Sequence, residues 1–329
     1  MDHQLQNLKL VAISGLVAEK HSLGIIRYIF GAREMGRRIR SLAIRYNNDD
    51  RSTPNAFRDA VAASYLDHDR LAPSILHIPN AISYVARVGH PSSAHVYQSD
   101  TDRQWFVPDV ASPDLHRFVR LEPPVAYAQR STSRADYVRD IIDPLPFWAI
   151  PSTGTMGTVG VPVKTRTTEV LMYGKKSFLT ADGKARSTVN VQFKWPGYSR
   201  EFKAQIRIKS DAKDCGSGTY QRLVNLVKGS VRNFIDAYAQ EPCQNAHWAV
   251  GPGRITADDL VLVAVVVVSQ GAVMPILKVT RDNFVPPNPI QGQEVAAATV
   301  QGFGSYGTFG GTFLASFGCA NPEWMNVEY

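Results

Sequence analysis

The clearest pattern in the chain is an alternation of apolar and polar residues on both sides of a Pro-Gly turn at residues 196–197. The stretches "STVNVQFKW" and "REFKAQIRIKS" each place every second residue on the apolar side. Because successive side chains of a strand point to opposite faces, this pattern predicts a β-hairpin with one apolar face and one basic face. The basic positions of the two predicted strands are Lys194, Lys203, Arg207 and Lys209.

The most apolar stretch of the chain, residues 260–279, is dominated by valine in its first half and interrupted by a Ser-Gln-Gly turn at residues 269–271. A membrane-spanning helix needs about 20 consecutive apolar residues, and Pro275 would break a helix in the second half. Short valine-rich runs bounded by turn residues instead predict two buried strands. We therefore expect a core hairpin with Pro275 at an edge or a bulge, and no membrane span.

Residues 25–46 have the period of an amphipathic helix. Most of their apolar residues share one arc of a helical wheel, although Ile26, Phe30 and Ile44 do not. The opposite arc carries all six arginines, which are Arg27, Arg33, Arg37, Arg38, Arg40 and Arg45. This pattern predicts one long helix. Residues 55–65 and 81–88 are weaker helix candidates.

The order of the predicted elements favours an α+β protein. A further helix is predicted over residues 219–240, with Ser217 or Thr219 as its cap. Strands outnumber helices and no regular βαβ alternation is present, which argues against a doubly wound parallel sheet. We expect a mainly helical N-terminal region over residues 1–90, followed over residues 91–329 by an antiparallel, β-rich body of jelly-roll-like or sandwich form that contains this helix.

Charge is distributed unevenly along the 329 residues, whose net charge is +7. Between Lys164 and Arg232 there are fifteen basic and five acidic residues, whereas after Gly251 there are three basic and six acidic residues. A basic middle and an acidic end suit an anionic partner, or association between copies of the same chain.

The sequence contains only weak matches to motifs of known catalytic or ligand-binding sites. Glycines spaced by three over residues 154–160 are followed by a strand-like segment rather than by the helix that a dinucleotide site requires. Cys215 and His247 lack the surroundings and separation of the catalytic pair in papain-like proteases. Cys243 and His247 could supply half of a zinc site, but no second pair at ligand spacing accompanies them. We predict no catalytic residue, no metal ligand and no cofactor.

The strongest candidates for function are basic residues. A row of cations on one face of a strand suits the regularly spaced phosphates of a nucleic-acid backbone, and arginine is the side chain that pairs best with phosphate. A solvated face that keeps the protein soluble gives the same pattern. The predicted nucleic-acid-binding residues are Lys194, Lys203, Arg207 and Lys209 of the hairpin, and Arg33, Arg37 and Arg40 of the N-terminal helix.

These features together predict a self-assembling structural protein of the coat or nucleocapsid kind, and not an enzyme. Its expected partners are copies of itself and a nucleic acid, with RNA favoured. Because the N-terminus lacks the features of a secretory signal, we expect a location inside the cell or in a virion. Two alternatives remain open: an intracellular enzyme with scattered pocket residues, and a guide-RNA-binding subunit of a filamentous effector complex.

Overall fold

The chain divides into two units, Met1–Pro287 and Asn288–Tyr329. Every residue described by the computed structural model belongs to the first unit. The described residues are 19–32, 34–39, 78, 80–87, 98–99, 103–122, 146–152, 159–166, 170–179, 185–209, 218–269, 271–282 and 284.

The described strands form two sheets. A small antiparallel sheet, in the order β1-β3-β2, contains β1 (Ala81–Arg87), β2 (Gln98–Ser99) and β3 (Arg103–Val110). A six-stranded sheet contains β4 (Phe147–Trp148), β5 (Val161–Pro162), β6 (Thr188–Phe193), β7 (Phe202–Arg207), β8 (Leu260–Ser269) and β9 (Ala272–Val279). Its order is β4-β8-β9-β6-β7, with β5 also beside β8, and all its pairs are antiparallel except β6 with β9. The described residues therefore have an α+β structure with a large, mainly antiparallel sheet.

Both predicted hairpins are confirmed. The valine-rich hairpin is β8 and β9, whose residues are nearly all buried because strands or packed layers surround them. Pro275 pairs with Val265 of β8, close to an irregularity in the register. On its other side β9 pairs with β6 only at Ala272 and Val273. The peptide nitrogen of Pro275 therefore lies past the last β6–β9 pair, where the ladder does not require a donor.

The predicted second helix is also confirmed, as Tyr220–Tyr238. The Thr219 hydroxyl accepts a hydrogen bond from the Arg222 amide at 3.3 Å and so caps its first turn. The ring of Phe234 packs 5.2 Å from that of Phe193 and 5.5 Å from that of Phe202, centroid to centroid. This helix therefore covers the apolar face of the β6–β7 hairpin, and the other face of the hairpin carries its polar residues.

Two aromatic neighbours in β4 show what lies on each face of the large sheet. Phe147 stacks on Tyr220 with ring centroids 4.1 Å apart, so it points towards the helix. Trp148 points the opposite way, because adjacent residues of a strand alternate, and its indole Nε1 donates to the Val107 carbonyl of β3 at 2.9 Å. The small sheet consequently lies on the face opposite the helix.

The N-terminal region departs from its prediction in two places. A helix spans Ile25–Phe30 and ends at Gly31, whose φ of 87° is readily accessible only to glycine; residues 34–39 are helical again. The single long helix predicted over residues 25–46 is therefore interrupted. The prediction of a helix over residues 81–88 is wrong, because Ala81–Arg87 pairs with β3 as a strand. We name Ile25–Phe30 α1 and Tyr220–Tyr238 α2.

A buried carboxylate holds α1 against the small sheet. The Asp109 side chain accepts from the amides of Ile26 at 2.8 Å, Arg27 at 3.2 Å and Val110 at 2.9 Å, and it lies 3.1 Å from Nδ1 of His21. Asp109 and His21 are completely buried. Because a buried carboxylate needs hydrogen-bond donors on its oxygens, this network both anchors the helix and stabilises the burial of the charge.

The predicted division of the chain near residue 90 stays a prediction. None of the described helices is long and apolar enough to cross a membrane.

Candidate nucleic-acid interface

The polar face of the β6–β7 hairpin presents a row of cations. Lys203 and Arg207 of β7, and Lys209 just beyond it, are exposed, while the intervening Ile206 and Ile208 are buried. The predicted alternation is therefore present, with one side of the strand in the core and the other in solvent. At about 3.4 Å per residue, the backbone positions of Lys203 and Arg207 are about 14 Å apart along the strand. We call Lys203, Arg207 and Lys209 the basic row.

The basic row lies at the margin of the sheet. β7 is the last strand in the order of the large sheet, and among the described strands it pairs only with β6. Lysines and arginines on an edge strand also prevent unwanted pairing with other strands. The position of the basic row on the edge strand is therefore consistent both with a binding surface and with an edge protected from pairing.

Lys194 lies on the same face but in a different electrostatic setting. Its Nζ is 2.9 Å from the Glu122 carboxylate, and the two residues also form a backbone bridge. The same end of the hairpin carries Glu201, whose carboxylate accepts a hydrogen bond from Gln192 at 2.9 Å. Two carboxylates therefore lie near the turn end of the hairpin, whereas Arg207 and Lys209 lie towards its opposite end.

Of the three arginines proposed for the N-terminal helix, only Arg37 lies among the described residues. Its guanidinium forms two hydrogen bonds with the Glu34 carboxylate, at 2.7 and 2.9 Å. Burial raises the pKa of Glu34, but the hydrogen bond from Arg37 and the charges of Arg38 and Arg37 outweigh it, so that the pKa is lowered overall. Arg38 is buried and stacks on Phe30, so it does not face solvent as the helical wheel predicted. Arg33 and Arg40 lie outside the described residues.

One cation near the basic row was missed by the sequence analysis. Arg222, in the first turn of α2, is exposed, and its Nη2 lies 3.4 Å from the backbone oxygen of Arg207. The two residues are 15 positions apart, and only the packing of α2 beside β7 brings them together. No periodicity in the sequence could have revealed this contact.

The middle of α2 carries two further cations that face the segment after β5. Lys228 is fully buried with its Nζ 2.9 Å from Oγ1 of Thr165, and Arg232 donates to the backbone oxygens of Val163 at 2.6 Å and Thr165 at 3.1 Å. Burial lowers the pKa of Lys228 to about 8, and the nearby charge of Arg232 contributes in the same direction. These contacts join α2 to an edge of the sheet and differ from the exposed basic row.

Of the residues considered for catalysis or metal binding, Cys243 and His247 lie in the described part of the chain. His247 is exposed in a short 3-10 helix, Ala246–Trp248, and the Cys243 thiol lies 3.0 Å from the Asn245 carbonyl. Cys215 lies outside the described residues. Across the described ranges, no group of three or more His, Cys, Asp or Glu residues could hold a metal ion.

Comparison of the chain with protein-family models, curated proteins and solved structures found no match. The inference of function therefore depends on the geometry and charge described above.

Proposed function

We propose that this chain is a self-assembling structural protein that binds nucleic acid, of the coat or nucleocapsid kind, with RNA as the favoured ligand. The observation that carries the proposal is the basic row, whose cations project from one exposed strand away from the core. Phosphates bind such a row through counterion release, which depends on charge and spacing rather than on base sequence.

The chemistry of the hairpin face supports contact with the nucleic-acid backbone rather than recognition of bases. Its described polar positions beside the row are Thr188, Asn190, Gln192 and Gln205, and none is aromatic. Single-strand-binding proteins that gain affinity from the bases stack them on aromatic side chains. Binding at this face should consequently be sensitive to salt and tolerant of sequence.

The test is to replace all three members of the basic row by glutamine and to measure the affinity for a labelled single-stranded RNA over a range of salt concentrations. If each residue neutralises one phosphate, the slope of log affinity against log salt should become shallower by about two units, at about 0.7 per contact. Affinity should fall equally for oligonucleotides of different sequence. Circular dichroism would verify that the variant is folded.

A matched control changes the same number of charges elsewhere. Lys164, Arg166 and Arg254 are exposed and lie outside the hairpin, and their replacement by glutamine lowers the net charge equally. If the control and the basic-row variant lose the same affinity, binding reflects total charge and the basic row is not an interface. If the unmodified protein does not bind nucleic acid at low salt, the proposed function is wrong, and the enzyme alternative gains support.

Self-assembly is the second half of the proposal, and it rests on the opposite charge of the middle and the end of the chain. We also propose that the β-rich body of this α+β protein has a jelly-roll-like or sandwich arrangement. Both are hypotheses.

A further inference from the structure

Resting on the proposed function, we infer that Arg222 is a fourth phosphate ligand, which extends the nucleic-acid interface from the basic row across the edge of the sheet to the start of α2. The side chain is exposed, and its guanidinium approaches the outer strand at the Arg207 carbonyl. A phosphate held near Arg207 and Lys209 would therefore be close to the guanidinium.

The orientation of β7 places this contact on the open edge. The Ile208 amide donates to the Ser187 carbonyl at 2.7 Å, so Ile208 faces β6. Because the peptide groups of successive residues point to opposite sides of a strand, the carbonyl of Arg207 faces away from β6. The Arg222 guanidinium thus lies at the outer margin of the sheet, beside the backbone of Arg207.

The guanidinium retains donors for a ligand. Arginine has five N–H groups in a planar fork, and the contact with Arg207 at 3.4 Å uses one of them at the long end of hydrogen-bond distance. Within the described part of the chain, Arg222 forms no ion pair. The fork can therefore form a bidentate pair with a phosphate, which lysine cannot reproduce.

Arg222 is also poorly placed for the stability of α2. It is the third residue of a 19-residue helix whose first turn contains no acidic residue, and a cation there is repelled by the positive end of the helix dipole. The first amides of α2 are themselves occupied: Thr219 accepts from Arg222, the Lys176 carbonyl from Tyr220, and the Gly174 carbonyl from Gln221. The helix end is consequently not the binding site, and an anion bound by the side chain would remove the repulsion.

The test compares Arg222→Gln and Arg222→Lys in the full-length protein, with the exposed Arg254→Gln as the control for a single lost charge. The probe is a labelled single-stranded RNA, and affinity is measured as a function of salt. We expect Arg222→Gln to weaken binding several-fold and to reduce the salt slope by about 0.7. Arg222→Lys should keep the salt slope but lose affinity, because the charge remains while the fork is absent.

Thermal unfolding without nucleic acid separates a ligand from a structural residue. A phosphate ligand predicts that Arg222→Gln melts at the same or a higher temperature, because a cation is removed from the first turn. A lower melting temperature with an unchanged salt slope would overturn the inference. The inference would also be overturned if the basic-row variant reduced the salt slope while Arg222→Gln left it unchanged. In that case the proposed function would still hold. An unmodified protein that does not bind nucleic acid overturns both.

Discussion

Lys228 gives the sharpest stability prediction, because its charge is buried and its pKa is strongly perturbed. Its pKa is about 8 in the folded chain, against an ordinary value of 10.5, through burial first and the charge of Arg232 second. Below pH 8 the folded state must hold a buried ammonium that the unfolded state would leave in water. The difference of about 2.5 pKa units corresponds to a free-energy cost of about 3.5 kcal/mol at most, at about 1.4 kcal/mol per pKa unit.

We expect Lys228→Met to increase the free energy of unfolding at pH 7 by about 1–2 kcal/mol. Methionine retains most of the side-chain volume and removes the charge. The loss of the polar contacts of the ammonium, among them the hydrogen bond to Thr165, offsets part of the gain, at about 1 kcal/mol per hydrogen bond. The sign of the pH dependence follows from linkage. Between pH 8 and 10.5 the unfolded chain holds a proton on this lysine that the folded chain has released, so the stability of the unmodified protein rises with pH.

The measurement is urea unfolding of the unmodified protein and of Lys228→Met at pH 7 and pH 9.5. The advantage of the variant should shrink at the higher pH, because the unmodified protein no longer carries the buried charge. Taking the difference between the two proteins cancels the titration of other groups, such as Tyr198 and Tyr238, whose pKa values burial raises. Lys164→Met, at an exposed position, should change stability by less than about 0.5 kcal/mol at either pH. A loss of more than 1 kcal/mol in Lys228→Met at pH 7 would refute the reasoning, since it would mean that the ammonium is favourably paired.

Two other predictions concern the small sheet and the state of association. Asp109→Asn should lower the free energy of unfolding by about 2–4 kcal/mol, because the NH₂ group of asparagine would face some of the backbone amides that the carboxylate now accepts from. Chemical unfolding would measure this loss, and an unchanged free energy of unfolding would show that the network is not stabilising. Light scattering over a dilution series should show a species much larger than the 36.3 kDa chain, and the 260/280 nm absorbance ratio of that species should show bound nucleic acid. A monomer at every concentration and salt level would contradict self-assembly.

The elements predicted correctly are those in which one local pattern is sufficient. Alternation fixed the two faces of the β6–β7 hairpin, because only a period of two buries Ile206 and Ile208 while exposing the basic row. In α2, the apolar residues Leu223, Val227, Phe234 and Tyr238 likewise recur at helical spacing, and all four are buried. In both cases the apolar face determines the element and its orientation without help from the rest of the chain.

The errors arose where a distant segment decides the structure. Residues 81–87 have a composition that a helix could accept, but pairing with β3 makes them a strand. The wheel for the N-terminal helix assumed a continuous rotation, which Gly31 interrupts, so Arg38 is buried rather than exposed. The contact between Arg222 and the basic row depends on where α2 packs, and a single sequence contains no pattern for it.

Lys228 and Arg222 of α2 make it possible to distinguish charges that affect stability from charges that affect binding. Lys228 is buried at a cost to stability, and it contacts the segment after β5 through Thr165, so its effect should be seen in unfolding and its pH dependence. Arg222 is exposed in the first turn, where the helix dipole disfavours it, and its effect should be seen in the salt dependence of binding. If salt-dependent binding responds to Arg222 and to the basic row but not to Lys228, the interface follows the outer edge of β7. A response to Lys228 as well would mean that binding depends on how α2 is held against the sheet.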